Sequence, residues 1–209
     1  MKRLLSLVIF LNSLNFIAQA QNNTDAQSIL DKTTAKLKSS NGISVSFSLT
    51  QKDNAGHIVS TTKGILKAKG LKYYVKQDDN EIFCNGTQIW NYDGQNEVTV
   101  AKADMDDDEL SPQQIVTGFD KKDFDINLIS STGTNYKIEL TPVDKRKNFK
   151  RVILFINKST NLIDKASITD KTNAVTEISF NNISLDKVVP DSQFVFDPSK
   201  HPGVDVVNQ

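Results

Sequence analysis

The stretch at 64–102 reads GILKAKGLKYYVKQDDNEIFCNGTQIWNYDGQNEVTVAK, and its short apolar runs decide the fold. Within each run, as in LKYYVKQ at 71–77, apolar and polar side chains alternate with a period of two residues, which is typical of a half-buried strand. The runs are interrupted at 78–80, 85–86 and 93–94 by Asp, Asn and Gly, which favour tight hairpin turns. The stretch therefore predicts an antiparallel meander.

Strand patterns continue on both sides of this meander. Upstream, residues 43–50 alternate between large apolar residues and Ser or Thr, and the turn DNAG at 53–56 leads into a second long strand at 57–69. The run at 151–156 is apolar on both parities, which predicts that both of its faces are covered. Downstream of the meander, strands are predicted at 123–128, 136–140, 152–156, 162–169 and 175–185.

Two helices are predicted beside the strands. An amphipathic helix at 24–39 carries one apolar face, and Ser111-Pro112 begins a short second helix that reaches Phe119. These helices are the only predicted elements available to cover the strand at 151–156. The sequence therefore predicts a mainly β fold, in which a curved antiparallel sheet forms an unclosed half β-barrel with a helical lid. The apolar face of the first helix consists of Ala26, Ile29, Leu30, Thr33 and Leu37.

The first twenty residues differ in kind from the rest. Lys2 and Arg3 precede an apolar run, and Ala18-Gln19-Ala20 provides the small residues of a signal-peptidase site, so we interpret 1–20 as a cleaved secretory signal. Residues 21–209 contain no internal repeat, linker or break in composition. We therefore expect an exported protein with a single domain at 21–209.

Charge and cysteine content exclude several classes of protein. Without Lys2 and Arg3 the chain would carry a net charge of −2, whereas nucleic-acid-binding proteins normally present a basic face. Cys84 is the only cysteine, so the fold cannot depend on an internal disulfide. A single thiol within a strand pattern is typically a small buried hydrophobic side chain.

The sequence offers little that resembles a reaction centre. His57 and His201 are expected to be exposed and have no metal-ligand spacing, and no phosphate loop or nucleophile elbow is present. The acidic run DMDDDEL at 104–110 lacks the glycine and final glutamate of a calcium loop, so it is interpreted as a solvated loop. We therefore predict no catalytic residues, no metal site and no cofactor.

A series of short motifs runs in order through the chain. They are Phe47 with Gln51, GIL at 64–66, KGLKYY at 69–74, NGTQIWNYD at 85–93, YKIELTP at 136–142, FVFDP at 194–198 and GVDV at 203–206. Together these motifs resemble the periplasmic outer-membrane lipoprotein carriers of the LolA family, over nearly the whole chain after residue 20.

The resemblance implies both a function and a set of partners. It implies a monomeric periplasmic carrier that encloses the acyl chains of lipoproteins in an apolar cavity and delivers them from the inner to the outer membrane. The implied partners are acylated lipoproteins, an inner-membrane transporter that releases them, and an outer-membrane receptor or the outer membrane itself. A family arginine that hydrogen-bonds the lid is not matched, and Lys69 stands in its place as a candidate latch.

The apolar faces of the predicted strands and helices define the candidate site. Leu30 and Ile115 are expected to contribute from the lid. Trp90 has the opposite parity to Ile89, so it lies either on the outer face or at the rim. The candidate cargo-binding residues are Val45, Phe47, Leu49, Leu71, Tyr73, Val75, Ile82, Cys84 and Ile89, although an ordinary sheet–helix core would use the same residues.

Three other functions fit parts of the same pattern. A regulatory protein on this fold would sense envelope lipids or lipoproteins without delivering them. A hydrolase would require polar catalytic groups inside the cavity. An outer-membrane receptor of the same fold would be lipidated on an N-terminal cysteine, and Gln21 at the cleavage point argues against it.

Overall fold

The computed structural model describes residues 25–103, 119 and 122–208. Most of these residues form one large, curved and unclosed antiparallel sheet, which confirms the predicted fold class. The predicted signal at 1–20, the acidic run at 104–110 and all of the second helix except Phe119 lie outside the described residues.

Among the described residues, twelve strands form the sheet in the order β12-β6-β5-β4-β3-β2-β1-β11-β10-β9-β8-β7, with β12 and β7 at the two ends of this order. Neighbouring strands pair antiparallel, except that β12 pairs with β6 in parallel, a pairing that no pattern in the sequence predicts. The strands are β1 (Ile43–Lys52), β2 (Ile58–Lys69), β3 (Lys72–Gln77), β4 (Asn80–Cys84), β5 (Gln88–Tyr92), β6 (Glu97–Lys102), β7 (Phe124–Ser130), β8 (Asn135–Pro142), β9 (Phe149–Asn157), β10 (Ile163–Asp170), β11 (Val175–Leu185) and β12 (Asp205–Asn208).

The predicted hairpin turns are held by Asp and Asn side chains that accept backbone hydrogen bonds. Asp53 Oδ1 accepts from the N–H groups of Ala55 and His57 at 2.9 and 2.8 Å. Asp93 Oδ1 accepts from three successive N–H groups, at 95 to 97. These local bonds replace the ladder where the chain reverses, so the turns form at the predicted positions.

The helix α1, which is helical at 25–38 in the described residues, packs on one face of the sheet. We name this the inner face and the opposite side the outer face. Ala26, Ile29 and Leu30 join one apolar cluster with side chains of β7 to β10, including Ile138 and Leu154. The predicted amphipathic face of the helix is thereby confirmed.

The two faces of strand β9, both expected to lie under helices, are covered differently in the described residues. Val152, Leu154 and Ile156 are fully buried on the inner face, with α1 in the same cluster. Phe155, on the outer face, is only half-buried, and the ammonium groups of Lys137 and Lys165 lie 5.5 and 5.3 Å from the centre of its ring. Within the described part of the chain, long lysine side chains lie over this face.

The C-terminal segment covers part of the outer face. After β11 the chain forms two short 3-10 helices, Asp191–Phe194 and Pro198–Lys200. Phe194 and Phe196 are buried against Tyr74 and Phe83, which point to the outer face of β3 and β4. The β2–β6 half of the sheet therefore has an apolar layer on each side.

Candidate functional site

An apolar surface on the inner face of β1 to β5 and β11 forms the candidate site. Because the strands are in register, side chains of the same parity line up across the sheet, as Val45 opposite Leu66 and Leu66 opposite Val75 show. The next row places Tyr73 opposite Cys84. These side chains form one apolar cluster on the inner face. The centre of this cluster is buried, and its half-buried members include Leu49, Ile82, Ile89, Ile178 and Phe180.

This cluster is continuous with the one beneath α1. Ile178 and Phe180 on β11 contact both clusters, so the inner face is apolar across the sheet from β5, through β1 and β11, to β7. A small cavity of about 40 Å³ opens where the two clusters meet. Its lining is entirely apolar and consists of Leu37, Ile43, Val45, Leu66, Leu162, Ile163, Phe180 and Ile183.

Eight of the nine candidate binding residues lie together in this one cluster. Cys84 is fully buried, and burial is the main reason that the pKa of its thiol is raised, which keeps the sulfur protonated and unreactive. The structure thus groups these side chains on one surface, and their role in binding stays a prediction. The eight residues are Val45, Phe47, Leu49, Tyr73, Val75, Ile82, Cys84 and Ile89.

Leu71 is the exception, and its predicted placement in the apolar lining is wrong. It precedes β3 in the tight turn that follows β2, and 52% of the residue is exposed. Gly70 has a φ of 58°, a left-handed conformation that reverses the chain at this point. The alternation between faces therefore begins at Lys72, and Leu71 lies outside the sheet.

The two predicted lid residues have different outcomes. Leu30 packs against the cluster of β7 to β10 instead of the cluster that holds the candidate binding residues. Among the described helical residues, Leu37 makes the contact with that second cluster and lines the cavity. Ile115 lies outside the described residues.

Lys69 contacts the C-terminal segment among the described residues, and its role as a lid latch stays a prediction. Because Ala68 is buried on the inner face, the next side chain points outward. Lys69 Nζ and Lys72 Nζ both donate to the carboxylate of Asp191, at 3.1 and 2.8 Å. The two lysines thus fasten the C-terminal segment to the outer face, on the side of the sheet opposite α1.

Trp90 also lies on the outer face, where it packs against the cluster formed by the C-terminal segment. His201, expected to be exposed, is instead half-buried, with its ring 4.7 Å from that of Phe196 and 4.6 Å from that of Tyr92. His57 is exposed as expected, and its Nδ1 lies 3.0 Å from Asp53 Oδ2.

A polar network lies beneath the C-terminal segment. Glu81 accepts hydrogen bonds from the hydroxyl of Tyr74 at 2.7 Å and from Lys76 Nζ at 2.8 Å. Burial raises the pKa of the Glu81 carboxyl, but these two hydrogen bonds outweigh it and lower the pKa overall. Glu81 is therefore an ionised carboxylate that anchors the β3–β4 hairpin on the outer face.

Two further features are absent from the described part of the chain. Nowhere within it do three or more His, Cys, Asp or Glu side chains come together in a way that could hold a metal ion. Over the same residues, no helix has both the length and the apolar character needed to cross a membrane.

Several residues of the inner face were missing from the sequence prediction. Phe180 lies opposite Phe47, and Ala68 lies opposite Tyr73, so both extend the rows of predicted residues. The alternation of apolar and polar residues along β11 could have indicated Phe180. No such pattern indicates that Leu162 lines the cavity, because this contact depends on how the β9–β10 turn folds against α1.

Both a family model and named relatives are similar to this chain. A family model described as "Outer membrane lipoprotein carrier protein LolA" matches residues 38–197. A protein named outer-membrane lipoprotein carrier protein from Idiomarina loihiensis is 27% identical over 175 residues, which cover 81% of this chain and 83% of the relative. A protein of the same name from Francisella tularensis subsp. novicida is 24% identical over 202 residues, covering 94% and 93%.

Solved structures share the fold at low sequence identity. The crystal structure of an uncharacterized conserved protein from Thermus thermophilus superposes with a TM-score of 0.59 at 14% identity. The match covers 88% of this chain and 99% of that one. It supports the sheet architecture and carries no information on function.

Proposed function

Since the chain belongs to the LolA family of outer membrane lipoprotein carrier proteins, we propose that it binds the acyl chains of lipoproteins on the inner face of its sheet. In this proposal, residues 21–209 form a single monomeric carrier domain in the periplasm. It receives lipoproteins from a releasing transporter in the inner membrane and passes them to a receptor in the outer membrane or to that membrane itself. The chain acts by binding and release, without turnover.

The single observation that carries this proposal is the continuous apolar inner face, which crosses the sheet from β5, through β1 and β11, to β7. Each buried CH₂ group contributes about 0.8 kcal/mol, so exposing one sixteen-carbon acyl chain to water costs on the order of 10 kcal/mol. A lipoprotein therefore needs an apolar surface that accompanies it through water. Rows such as Val45–Leu66–Val75 offer such a surface without interruption by charge.

The size of the cavity indicates how cargo would enter. At about 40 Å³, the cavity is far smaller than the several hundred Å³ typical of ligand pockets. An acyl chain therefore needs α1 to move away from the sheet. Because Ala26, Ile29 and Leu30 would lose their contacts with the sheet, closure of α1 competes with cargo and lowers its apparent affinity. This competition favours release to an acceptor.

Native mass spectrometry tests this proposal. We expect a one-to-one complex with a triacylated lipoprotein, and no complex with the same lipoprotein whose lipidated cysteine is replaced by Ser. Leu49→Gln, on the half-buried part of the inner face, should weaken the complex, whereas Ile65→Gln, opposite Ser46 on the outer face, should not.

Two outcomes would contradict the carrier function. The absence of any complex with acylated lipoprotein would indicate that the inner face is an ordinary hydrophobic core and does not bind cargo. A stable complex that never passes its lipoprotein to acceptor membranes would instead indicate a sensor of lipoproteins.

A further inference from the structure

One end of the sheet carries a concentration of positive charge. The turn between β8 and β9 and the start of β9 read VDKRKNFK at 143–150. Asp170 ends β10, and Lys171 begins the turn between β10 and β11. We name residues 143–150 and 170–174 the basic rim. Its five basic and two acidic side chains give it a net charge of +3, in a chain whose formal net charge is +0.

The two segments of the basic rim are adjacent in space. Asp170 at the end of β10 pairs with Phe149 at the start of β9. The backbone N–H of Lys171 donates to the carbonyl of Asn148 at 3.4 Å. The positive charges therefore form one surface.

Three lysines of the rim donate to uncharged oxygens. Lys145 Nζ donates to the carbonyl of Pro142 at 3.0 Å, and Lys171 Nζ donates to the carbonyl of Arg146 at 3.1 Å. Lys150 Nζ donates to the side-chain oxygen of Asn173. Such bonds position the ammonium groups without cancelling their charge.

The two acidic residues are held inside the turns. Asp144 binds the Arg146 guanidinium through both oxygens, at 3.1 and 2.7 Å, and chiefly this contact lowers the pKa of Asp144 to about 2. The hydroxyl of Thr172, followed by backbone N–H groups, lowers the pKa of Asp170. Both carboxylates stay ionised and serve the turn geometry, so the excess of positive charge is a stable property of the rim.

Exposed aliphatic side chains accompany these charges. Val143 is 49% exposed, and Ile58 and Val59 at the start of β2 are 65% and 69% exposed. Because Lys52 at the end of β1 pairs with Val175 at the start of β11, the β1–β2 hairpin lies beside the turn at 170–174. Cationic and aliphatic groups thus share one end of the sheet.

We propose that the basic rim docks the protein reversibly on the anionic phospholipid headgroups of a membrane surface. Lysine ammonium groups are point charges that suit a diffuse layer of phosphates, and neighbouring aliphatic side chains can enter the headgroup region. Recognition of an acidic protein would favour bidentate arginine, but Arg146 already engages Asp144. Acidic turns on the β3–β6 side of the same end, with Asp78, Asp79 and Asp93, would keep that half away from the lipid. This inference does not depend on cargo binding.

Sedimentation with vesicles tests the proposal. The wild-type chain should bind vesicles of phosphatidylcholine mixed with phosphatidylglycerol, should not bind pure phosphatidylcholine, and should dissociate at high salt. Removing three rim charges with Lys145→Gln, Lys147→Gln and Lys171→Gln should lower the partition coefficient on the order of 100-fold. The matched control removes three charges at the opposite end of the sheet, with Lys38→Gln, Lys102→Gln and Lys187→Gln, and should bind almost as the wild type does.

Three results would overturn the proposal, provided that circular dichroism shows both triple variants to be folded. The first is no binding of the wild type to anionic vesicles. The second is an equal loss in the rim variant and in the control, which would mean that net charge alone matters. The third is binding of a soluble acidic peptide that anionic vesicles do not displace, which would identify an acidic protein as the partner.

Discussion

The ring of Phe47 on β1 lies directly against the backbone of Gly64 on β2. The two residues are opposite each other in the ladder, and a Cβ atom built on Gly64 would lie 2.4 Å from Phe47 Cζ and 2.4 Å from the carbonyl oxygen of Lys76. Only a residue without a side chain leaves room for the ring. Gly64 therefore shapes the centre of the inner face.

Replacing Gly64 with Ala should destabilise the protein. The added methyl group must displace the Phe47 ring or the β3 backbone, and overpacking of this kind costs about 1–3 kcal/mol. Urea unfolding of Gly64→Ala measures the change in the free energy of unfolding. The control is Lys63→Ala, at the preceding, exposed position of β2. Equal stability of both variants and the wild type would show that the ring relaxes freely.

A single side-chain bond near the end of α1 should influence the opening of the helix. Lys36 Nζ donates to the carbonyl of Thr160 in the β9–β10 turn at 2.5 Å. Because closure of α1 competes with cargo, Lys36→Ala should tighten the binding of a fluorescent triacylated peptide by about twofold. Fluorescence anisotropy measures this change, with Lys38→Ala as the control on the same helix. Weaker binding by Lys36→Ala would mean that α1 supports cargo instead of competing with it.

The carboxylate of Asp191 should hold the C-terminal segment in place. Because Lys69 and Lys72 both donate to it, Asp191→Asn should speed amide hydrogen exchange at 191–194. Since the contact is exposed, global stability should change little. Asp205→Asn, at the start of the exposed strand β12, is the control. Unchanged amide hydrogen exchange in Asp191→Asn would show that the apolar contacts of Phe194 are enough to hold the C-terminal segment in place.

Because Tyr74 is buried on the outer face and donates to Glu81, we expect the protein to lose stability at high pH. Burial, and then the bond to Glu81, raises the pKa of Tyr74 well above its ordinary value of 10.0. Between these two pKa values the unfolded chain loses the tyrosine proton while the folded chain keeps it, so the free energy of unfolding falls as pH rises above 10.0. Chemical unfolding at several pH values should show a shallower fall in Tyr74→Phe. Identical slopes for the two proteins would contradict this assignment.

The inner face could be predicted from the sequence because parity along each strand is preserved across the ladder. Val45, Tyr73 and Ile82 were placed correctly on one face by alternation alone, since their strands pair through short turns. Leu71, the misplaced residue of the meander, directly follows Gly70, where the chain turns and alternation along the strand gives no information.

The outer face was harder to predict because it depends on contacts between distant segments. The sequence does show that Tyr74 and Phe83 place large side chains on the outer face of β3 and β4, in addition to the apolar side chains of the inner face. They indicate that something covers the outer face without indicating what. The parallel pairing of β12 with β6 joins residues that are far apart in sequence, and its short exposed strand carries no pattern.

Photo-crosslinking tests most directly whether the inner face holds acyl chains. A photoreactive amino acid at Leu49 or Ile89 on the inner face, or at the outer-face position Ile65, is irradiated in the presence of triacylated lipoprotein. We predict adducts on the acyl chains from Leu49 and Ile89 and none from Ile65. Adducts that form equally from Ile65, or only on the protein part of the cargo, would contradict the proposal that the inner face is the carrier surface.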